Sequence, residues 1–476
     1  MAEPTGNSNT TWVLVLASAA NLIVALDAMV VTTALTRIGR ELGASIEALE
    51  WTVNAYTLSF AAFFLMAAAL GDRYGRRRMF IVGLVLFVAA SAACALAPSI
   101  GWLIAARAVQ GLGAAIVMPL ALAQISVAFP PERRGWALGI YSSVAGLSTV
   151  LGPTIGGVVT EGLSWRWIFW MNLPIGLAVA GFAAARLRET FGARAPVDLG
   201  GVVLSAAGAF GLVWGLVRAN AAGWSSLEVV SSLIGGALLL VLFVVWELRA
   251  AHPMIPMRFF RSRDFAAGNA AMFFLTGTLM SAIFFMAQFL QAVLGLGPLV
   301  TGLGLLPWGA AVVVGGRSAV AVAKRLGDAP TIVLALLVQA TGLAWIALIA
   351  RPGMAYASLI VPMILAGVGF ALAVTIAQKA VVGAVAMPDI GKASGTLGTI
   401  RQLGGAFGVA ITVAVFAHVG GYATPIAFSQ GFDAAMGVAA LFSLAGAAAG
   451  MLMLRAPSRR PVAAGPDALS GSGDKA

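Results

Sequence analysis

The chain is 476 residues long, 60% hydrophobic and 10% charged, against roughly 25% charged in ordinary globular domains. Length alone would allow about two or three soluble domains, but this composition and a mean hydropathy of +0.96 exclude them and fit a polytopic helical membrane protein. The formal charge of +11 does not point to nucleic acid, because the basic residues are scattered over many short loops rather than gathered in one patch.

The polar start, Met1 to Thr10, lacks the basic n-region of a cleaved leader, so the first span is expected to be its own insertion signal. The apolar runs then give about fourteen spans of the ~20-residue length a bilayer requires. The first six cover 12–35, 49–70, 79–97, 102–123, 137–160 and 168–187. The next two cover 199–217 and 229–247. The rest cover 266–293, 300–322, 331–350, 356–378, 396–418 and 435–454.

Between the second and third runs lies Leu70 to Arg78, reading Leu-Gly-Asp-Arg-Tyr-Gly-Arg-Arg-Arg. So much charge cannot lie in hydrocarbon, and so short a turn joins two spans that fold back on one another. Basic loops stay cytoplasmic, which fixes the side of this turn and, by alternation, of every other loop. The loops so assigned to the cytoplasm hold Arg133, Arg134, Arg186, Arg188, Arg194, Arg249, Arg258, Arg261, Arg263, Lys324, Arg325, Lys379 and Lys392. The opposite loops hold only Arg37, Arg40, Arg166, Arg218 and Arg351. The asymmetry never flips, so both termini are expected in the cytoplasm. The tail 456–476, rich in Pro, Gly, Ser and Ala, is expected to be disordered. The mixed basic and aromatic segment 249–265 reads as an interfacial stretch on the cytoplasmic face, its arginines toward lipid phosphates.

Cys94 is the only cysteine and falls in an apolar run, so it is expected to be a small core residue without a disulfide. His252 and His418 fall in loops and make no metal-ligating constellation. Neither a metal nor an organic cofactor is expected.

An ionisable group at membrane depth is costly and marks function by default. Asp27 is the only acid well inside a span, and Arg107 the only arginine deep enough that snorkelling is strained. Counted from the outer ends of their spans they lie roughly 12 Å and 8 Å deep, a similar height, which pairs them. A purely structural salt bridge is the competing reading. Arg317 and Arg401 are placed nearer the cytoplasmic ends of their spans, where they could snorkel. Glu50, at the outer mouth, is the next acid in line. In the fifth span, Gly152, Pro153, Gly156 and Gly157 allow a kink and close helix approach.

Several stretches, in order, resemble the major facilitator superfamily, and within it the fourteen-span drug:proton antiporters of the EmrB/QacA type. Leu26-Asp27 with Ala34-Leu35 matches the first-span motif, and Trp51 with Tyr56 the opening of the second. Gly71 to Arg77 is similar to the superfamily's loop signature, and Arg107 to Ala114 to its fourth-span motif. Gly139, Gly152-Pro153 and Gly156-Gly157 resemble the antiporter motif of the fifth span. Trp165 to Phe169, Asn172-Leu173-Pro174, Pro253 to Phe265 and Arg401 to Gly405 are further marks of the subfamily. The sequence departs from the pattern at Ala68, Met29, Thr32, Thr36 and Ser148. It also lacks the further acids that some relatives carry in the tenth or thirteenth span, which points away from dicationic substrates.

The resemblance implies an all-α polytopic protein of major facilitator fold, with 14 transmembrane helices as two six-helix bundles plus two inserted spans. The expected divisions are a cytoplasmic tail at 1–11, an N-terminal bundle at 12–190 and the inserted pair at 191–248. An interfacial linker at 249–265, a C-terminal bundle at 266–455 and the tail at 456–476 follow. Substrate would bind between the bundles near the midplane. The candidate cavity residues are Asp27, Tyr56, Gln110, Phe273, Phe284, Gln288, Gln291 and Trp308, with Phe285 and Met286 beside them. Asp27 and Arg107 would couple protons. Asp72, Arg73, Gly75 and Arg76 would form an inner gate, with Asp72 against the start of the thirteenth span when the protein faces outward.

The function so implied is a proton-coupled antiporter, using the proton gradient in place of a cofactor. It would export hydrophobic or amphipathic small molecules, drugs among them, from the cytoplasm or inner leaflet of a bacterial inner membrane, acting as a monomer. A dedicated exporter of one endogenous secondary metabolite is the alternative. A channel would need a continuous polar lining. An intramembrane enzyme would need a motif such as His-Glu-x-x-His or Gly-x-Ser-x-Gly, which the sequence lacks.

Overall fold

The computed structural model describes residues 7–192, 198–251, 253–386 and 389–454. Most of the expected N-terminal tail, the expected disordered tail and His252 lie outside them. Among the described residues the regular structure is sixteen α-helices and one short 3-10 turn. In chain order these are α1 (Asn7–Leu42), α2 (Ile46–Tyr74), α3 (Arg76–Ala95), α4 (Ile100–Ala128), α5 (Pro131–Gly162), α6 (Trp167–Trp170) and α7 (Asn172–Arg186). Two further helices follow, α8 (Leu199–Ala222) and α9 (Leu227–Arg249), then the 3-10 turn Met257–Arg261. The remainder are α10 (Arg263–Ala292), α11 (Pro298–Gly304), α12 (Leu306–Leu326), α13 (Asp328–Ile349), α14 (Ala357–Gly383), α15 (Ile390–Val419) and α16 (Pro425–Leu454).

Every apolar run of the sequence is helical, but two are broken. The sixth run divides into α6 and α7, with Pro174 in the first turn of α7. The tenth divides into α11 and α12, each opened by a proline. Proline lacks the backbone donor an uninterrupted helix needs, so it is tolerated where a helix restarts. Among the described residues 12 stretches are long and apolar enough to cross a membrane. The pair Glu47–Phe64 and Met66–Tyr74 of α2, meeting at 51°, adds a thirteenth. Helix α5 has 32 residues.

Helix lengths differ from one span to the next. Helices α10, α15 and α16 each have 30 residues, about 45 Å. Helix α3 has 20 and α13 has 22, about 30 and 33 Å.

Helices α1 to α7 pack mainly on one another, as do α10 to α16. The halves meet where α2 lies on α15, α5 on α11 and α12, and α1 on α10. Helices α8 and α9 pair closely because Gly208, Gly211 and Gly236 face each other without side chains between them. Helix α8 then leans on both α2 and α15. Val213 and Val217 pack there with Leu58 of α2 and Ala406 and Ala410 of α15. Trp51 packs with tilted rings at 5.6 Å on Phe210 and 5.7 Å on Trp214.

The charged turn is folded by one residue and one clamp. Gly75 links α2 to α3 at φ 106, a conformation glycine alone adopts without strain. Glu189 then accepts from the backbone N–H groups of Arg77 at 2.9 Å and Arg78 at 3.2 Å. A carboxylate on the free donors at a helix N-terminus stabilises it by both hydrogen bonding and the helix dipole. Glu189→Ala is expected to cost about 1–2 kcal/mol, measured as a lower thermal unfolding temperature of the purified protein. An unchanged temperature would count against the clamp.

Candidate functional site

The buried polar centre of the N-terminal half starts from two glycines on α4. A Cβ at Gly111 would lie 2.3 Å from the Tyr56 carbonyl oxygen, and one at Gly113 2.6 Å from the Phe87 nitrogen. Without side chains there, α2 and α3 press against α4. That approach brings the Arg107 guanidinium 4.2 Å from the centre of the Tyr56 ring. Its Nε donates to the Thr52 carbonyl at 3.1 Å, and Nη1 donates to Gln110 Oε1 at 2.8 Å and to Asp27 Oδ2. Asp27 Oδ1 accepts from Gln110 Nε2 and Asn172 Nδ2, each at 2.9 Å. Asn172 also donates to Ser91 at 3.0 Å. Asp27 is 2% exposed and Arg107 1%. Among the described residues this is the one ion pair with both members buried.

The seam between the halves is tied at one end, where α5 ends and α11 begins. A Cβ at Gly157 would lie 2.2 Å from the Pro298 carbonyl oxygen, and one at Gly302 2.4 Å from that of Pro153. Helices α5 and α11 therefore touch backbone to backbone. Glu161 accepts from the Leu299 N–H at 2.7 Å, Thr154 donates to the Gly302 carbonyl at 3.3 Å, and Gln291 donates to the Thr33 carbonyl at 3.0 Å. Gly152 and Gly156 serve a different contact, admitting Met29, Val30 and Thr33 of α1. Further in, Gly398 of α15 faces Phe64 of α2.

The remaining candidates are dispersed. Tyr56 and Gln110 lie with Asp27 inside the N-terminal half. Phe284 packs at 5.0 Å on Phe285 inside the C-terminal half, where Gln288 accepts from Tyr422. Trp308 is buried beneath Gly367, its indole nitrogen without a hydrogen-bond partner. Phe273 packs at 6.0 Å on Phe407. Asp72 accepts from Arg76 at 2.7 Å, and its backbone carbonyl accepts from Gly192 at 3.1 Å. Arg73 lies 5.5 Å over Tyr74. In this structure the loop is held within its own half, close to Glu189.

The sequence model of the Major Facilitator Superfamily matches residues 17–409. The chain belongs to the major facilitator superfamily. It is 34% identical over 421 residues to the tetracenomycin C resistance and export protein of Streptomyces glaucescens, across 86% of this chain and 78% of the relative. It is 35% identical over 394 residues to the multidrug resistance protein Stp of Mycobacterium tuberculosis, across 82% of this chain and 73% of the relative. Among solved structures it resembles a bacterial homologue of the human lysosomal transporter Spinster, in an inward-facing, unoccupied conformation. That likeness has a TM-score of 0.66 at 16% identity and covers 94% of this chain and 98% of the other, which is a likeness of fold.

Within this major facilitator protein, sequence reasoning passed over two partners of the buried pair, Asn172 and the Thr52 carbonyl, and Ser91 behind Asn172. Asn172 was legible only as a subfamily mark, although an amide at the break between α6 and α7 signals a polar contact. Ser91 and the Thr52 carbonyl carry no signal of their own. Glu50 is fully buried, with Asn54 donating to Oε1 at 3.0 Å and no partner at Oε2.

Proposed function

We propose that this protein exports lipophilic small molecules from the cytoplasm or inner leaflet, driven by protons moving inward. The observation that carries the coupling is the buried Asp27–Arg107 pair with its two amide donors. A buried ion pair is no efficient stabiliser, since packed apolar groups would do as well, so its presence at membrane depth argues for function. Protonating Asp27 would strip Arg107 of its counter-charge, and a buried charge left unpaired costs about 3–5 kcal/mol. The helices carrying the pair, α1 and α4, then have reason to rearrange. Alternating rocking of the halves would expose the carboxyl outside to load a proton and inside to release it.

The fourteen-span arrangement of EmrB/QacA type, with both termini cytoplasmic, is part of this reading. Helices at every expected run and the one-sided distribution of arginine support it. The pathway lies between two halves of one chain, so a monomer suffices. The names of the multidrug resistance relative and the tetracenomycin C exporter support, respectively, a broad cargo range and a dedicated one.

The test is dye export from proteoliposomes under an imposed pH gradient. Transport should need the gradient, and a monovalent dye should be exported better than a divalent cation of the same shape, because α11, α12 and α15 carry no acid to pair with a second positive charge. Equal or better export of the divalent cation would sink the substrate half of the proposal, and export indifferent to the gradient the coupling half.

A further inference from the structure

Arg401 is a membrane-depth charge that neither the buried pair nor the outer seam uses. Helix α15 begins at Ile390, before the apolar run does, which places Arg401 about 16 Å along the helix from its cytoplasmic end. About 8 Å of that lies within the apolar run that starts at Thr396, so the direction of the side chain decides where its charge goes. Its direction follows from its neighbours. Gly398, three residues before, faces Phe64 of α2, and Gly404, three residues after, faces the Phe273 carbonyl of α10. At 3.6 residues per turn, position 401 points midway between those two helices, away from lipid and into the space between the halves. Gly405, one turn outward, is approached by both Met280 of α10 and Thr57 of α2, which roofs that space.

The side chain is exposed there. Among the described residues it has no ion pair and no hydrogen bond, and Tyr141 of α5, across the seam, is the one titratable group within electrostatic reach. The Tyr141 hydroxyl makes only long contacts, to the Met118 carbonyl at 3.4 Å and the Met118 sulfur at 3.7 Å. An arginine without a counter-ion at this depth offers a planar fork of donors that matches a carboxylate.

We propose that Arg401 is the anion-binding residue of the transport cavity and that the preferred cargo is a lipophilic molecule bearing one ionised carboxylate. The proposal rests on the export reading above and refines it: the exposed interior charge is positive, while the acid of the buried pair, Asp27, is already engaged by Arg107. Tyr141 is the second donor, positioned by the opposite half, so one carboxylate bridges both halves.

Three probes with one ring system test this: anthracene-9-carboxylate, its methyl ester, and 9-(aminomethyl)anthracene. Binding to the purified full-length protein is read by tryptophan quenching, and export is read in proteoliposomes. The carboxylate should bind roughly tenfold or more tightly than the ester, the range of a charge-assisted hydrogen bond. Arg401→Gln should erase that preference while leaving ester binding unchanged, which also shows that the variant is folded. Arg401→Lys should retain part of it, and Tyr141→Phe should reduce it. Equal binding of carboxylate and ester, stronger binding of the amine, or a preference that survives Arg401→Gln overturns the assignment while the export reading stands. Failure of the wild-type protein to export any of the three overturns the export reading and this inference with it.

Discussion

Asp27→Asn is expected to abolish uphill efflux while leaving the fold and substrate binding in place. Asparagine keeps the shape of the carboxyl group and can still accept from Arg107, Gln110 or Asn172 at its one carbonyl oxygen. It cannot take up or release a proton. Each proton entering gains roughly 2.3 kcal/mol per 100 mV of membrane potential. A carrier without a titratable group forfeits that gain and can only equilibrate its cargo. Energy-independent exchange should therefore persist when the gradient is collapsed. Arg107→Ala should also impair uphill efflux, for a different reason: it leaves the Asp27 carboxylate buried without its cation, and the pH optimum should move. The decisive measurement is substrate-induced proton movement in reconstituted vesicles. If Asp27→Asn still moves protons with substrate at the normal ratio, the carrier lies elsewhere, and Glu50, buried at the outer end with one oxygen unpartnered, is the next to replace.

Gly157→Val should open the outer seal. The atoms a side chain would meet there are the Pro298 carbonyl oxygen at 2.2 Å, its carbon at 2.9 Å and the Leu299 Cα at 3.0 Å. All are backbone, so no rotamer change relieves the clash. Overpacking of this kind costs about 1–3 kcal/mol even where flexible neighbours can yield, and each 1.4 kcal/mol is about a tenfold shift in the balance between closed and open forms. The expected result is a protein that inserts and binds substrate but leaks protons without it. Gly181, where a Cβ would meet nothing within 4 Å, supplies the matched control. A Gly157→Val protein with normal coupled transport and no added leak would show that the backbone contact is dispensable. Gly152→Val is the informative contrast, since its clash, 2.4 Å from Met29 Cβ, falls within the N-terminal half and should disturb packing rather than the seal.

Helix positions were legible because hydrocarbon demands long apolar runs. Helix ends were not. Helix α15 starts at Ile390 rather than near Thr396 because its first turns, with exposed Gly391 and Lys392, lie where polar residues are tolerated and hydropathy carries no signal. The pairing of Asp27 with Arg107 was readable from their similar depth together with the family resemblance, which turns both helices toward the cavity. Asn172 was not, since an amide is inexpensive enough in a membrane helix to go unremarked. The two contacts of the fifth-span glycines, one within a half and one across the seam, required knowing which face of α5 each occupies.

The uneven helix lengths carry a consequence for the surrounding bilayer. The short α3 and α13 present Val82, Val85, Leu334, Leu337 and Leu348 outward and match a hydrocarbon layer about 30 Å thick. The long α10 and α15 lie at the seam, where protein rather than lipid surrounds them, and pass through both surfaces. Where α3 and α13 face the lipid, the match is set by their short length, while longer helices such as α16 also reach it through Leu441 and Leu444. A thicker membrane would have to thin locally around α3 and α13, at a cost of fractions of a kcal/mol per Å of mismatch. Rocking changes how the halves tilt, and with tilt the thickness they match. Membrane thickness therefore becomes a mechanical load on the transport cycle, acting on a rim that never touches the cargo.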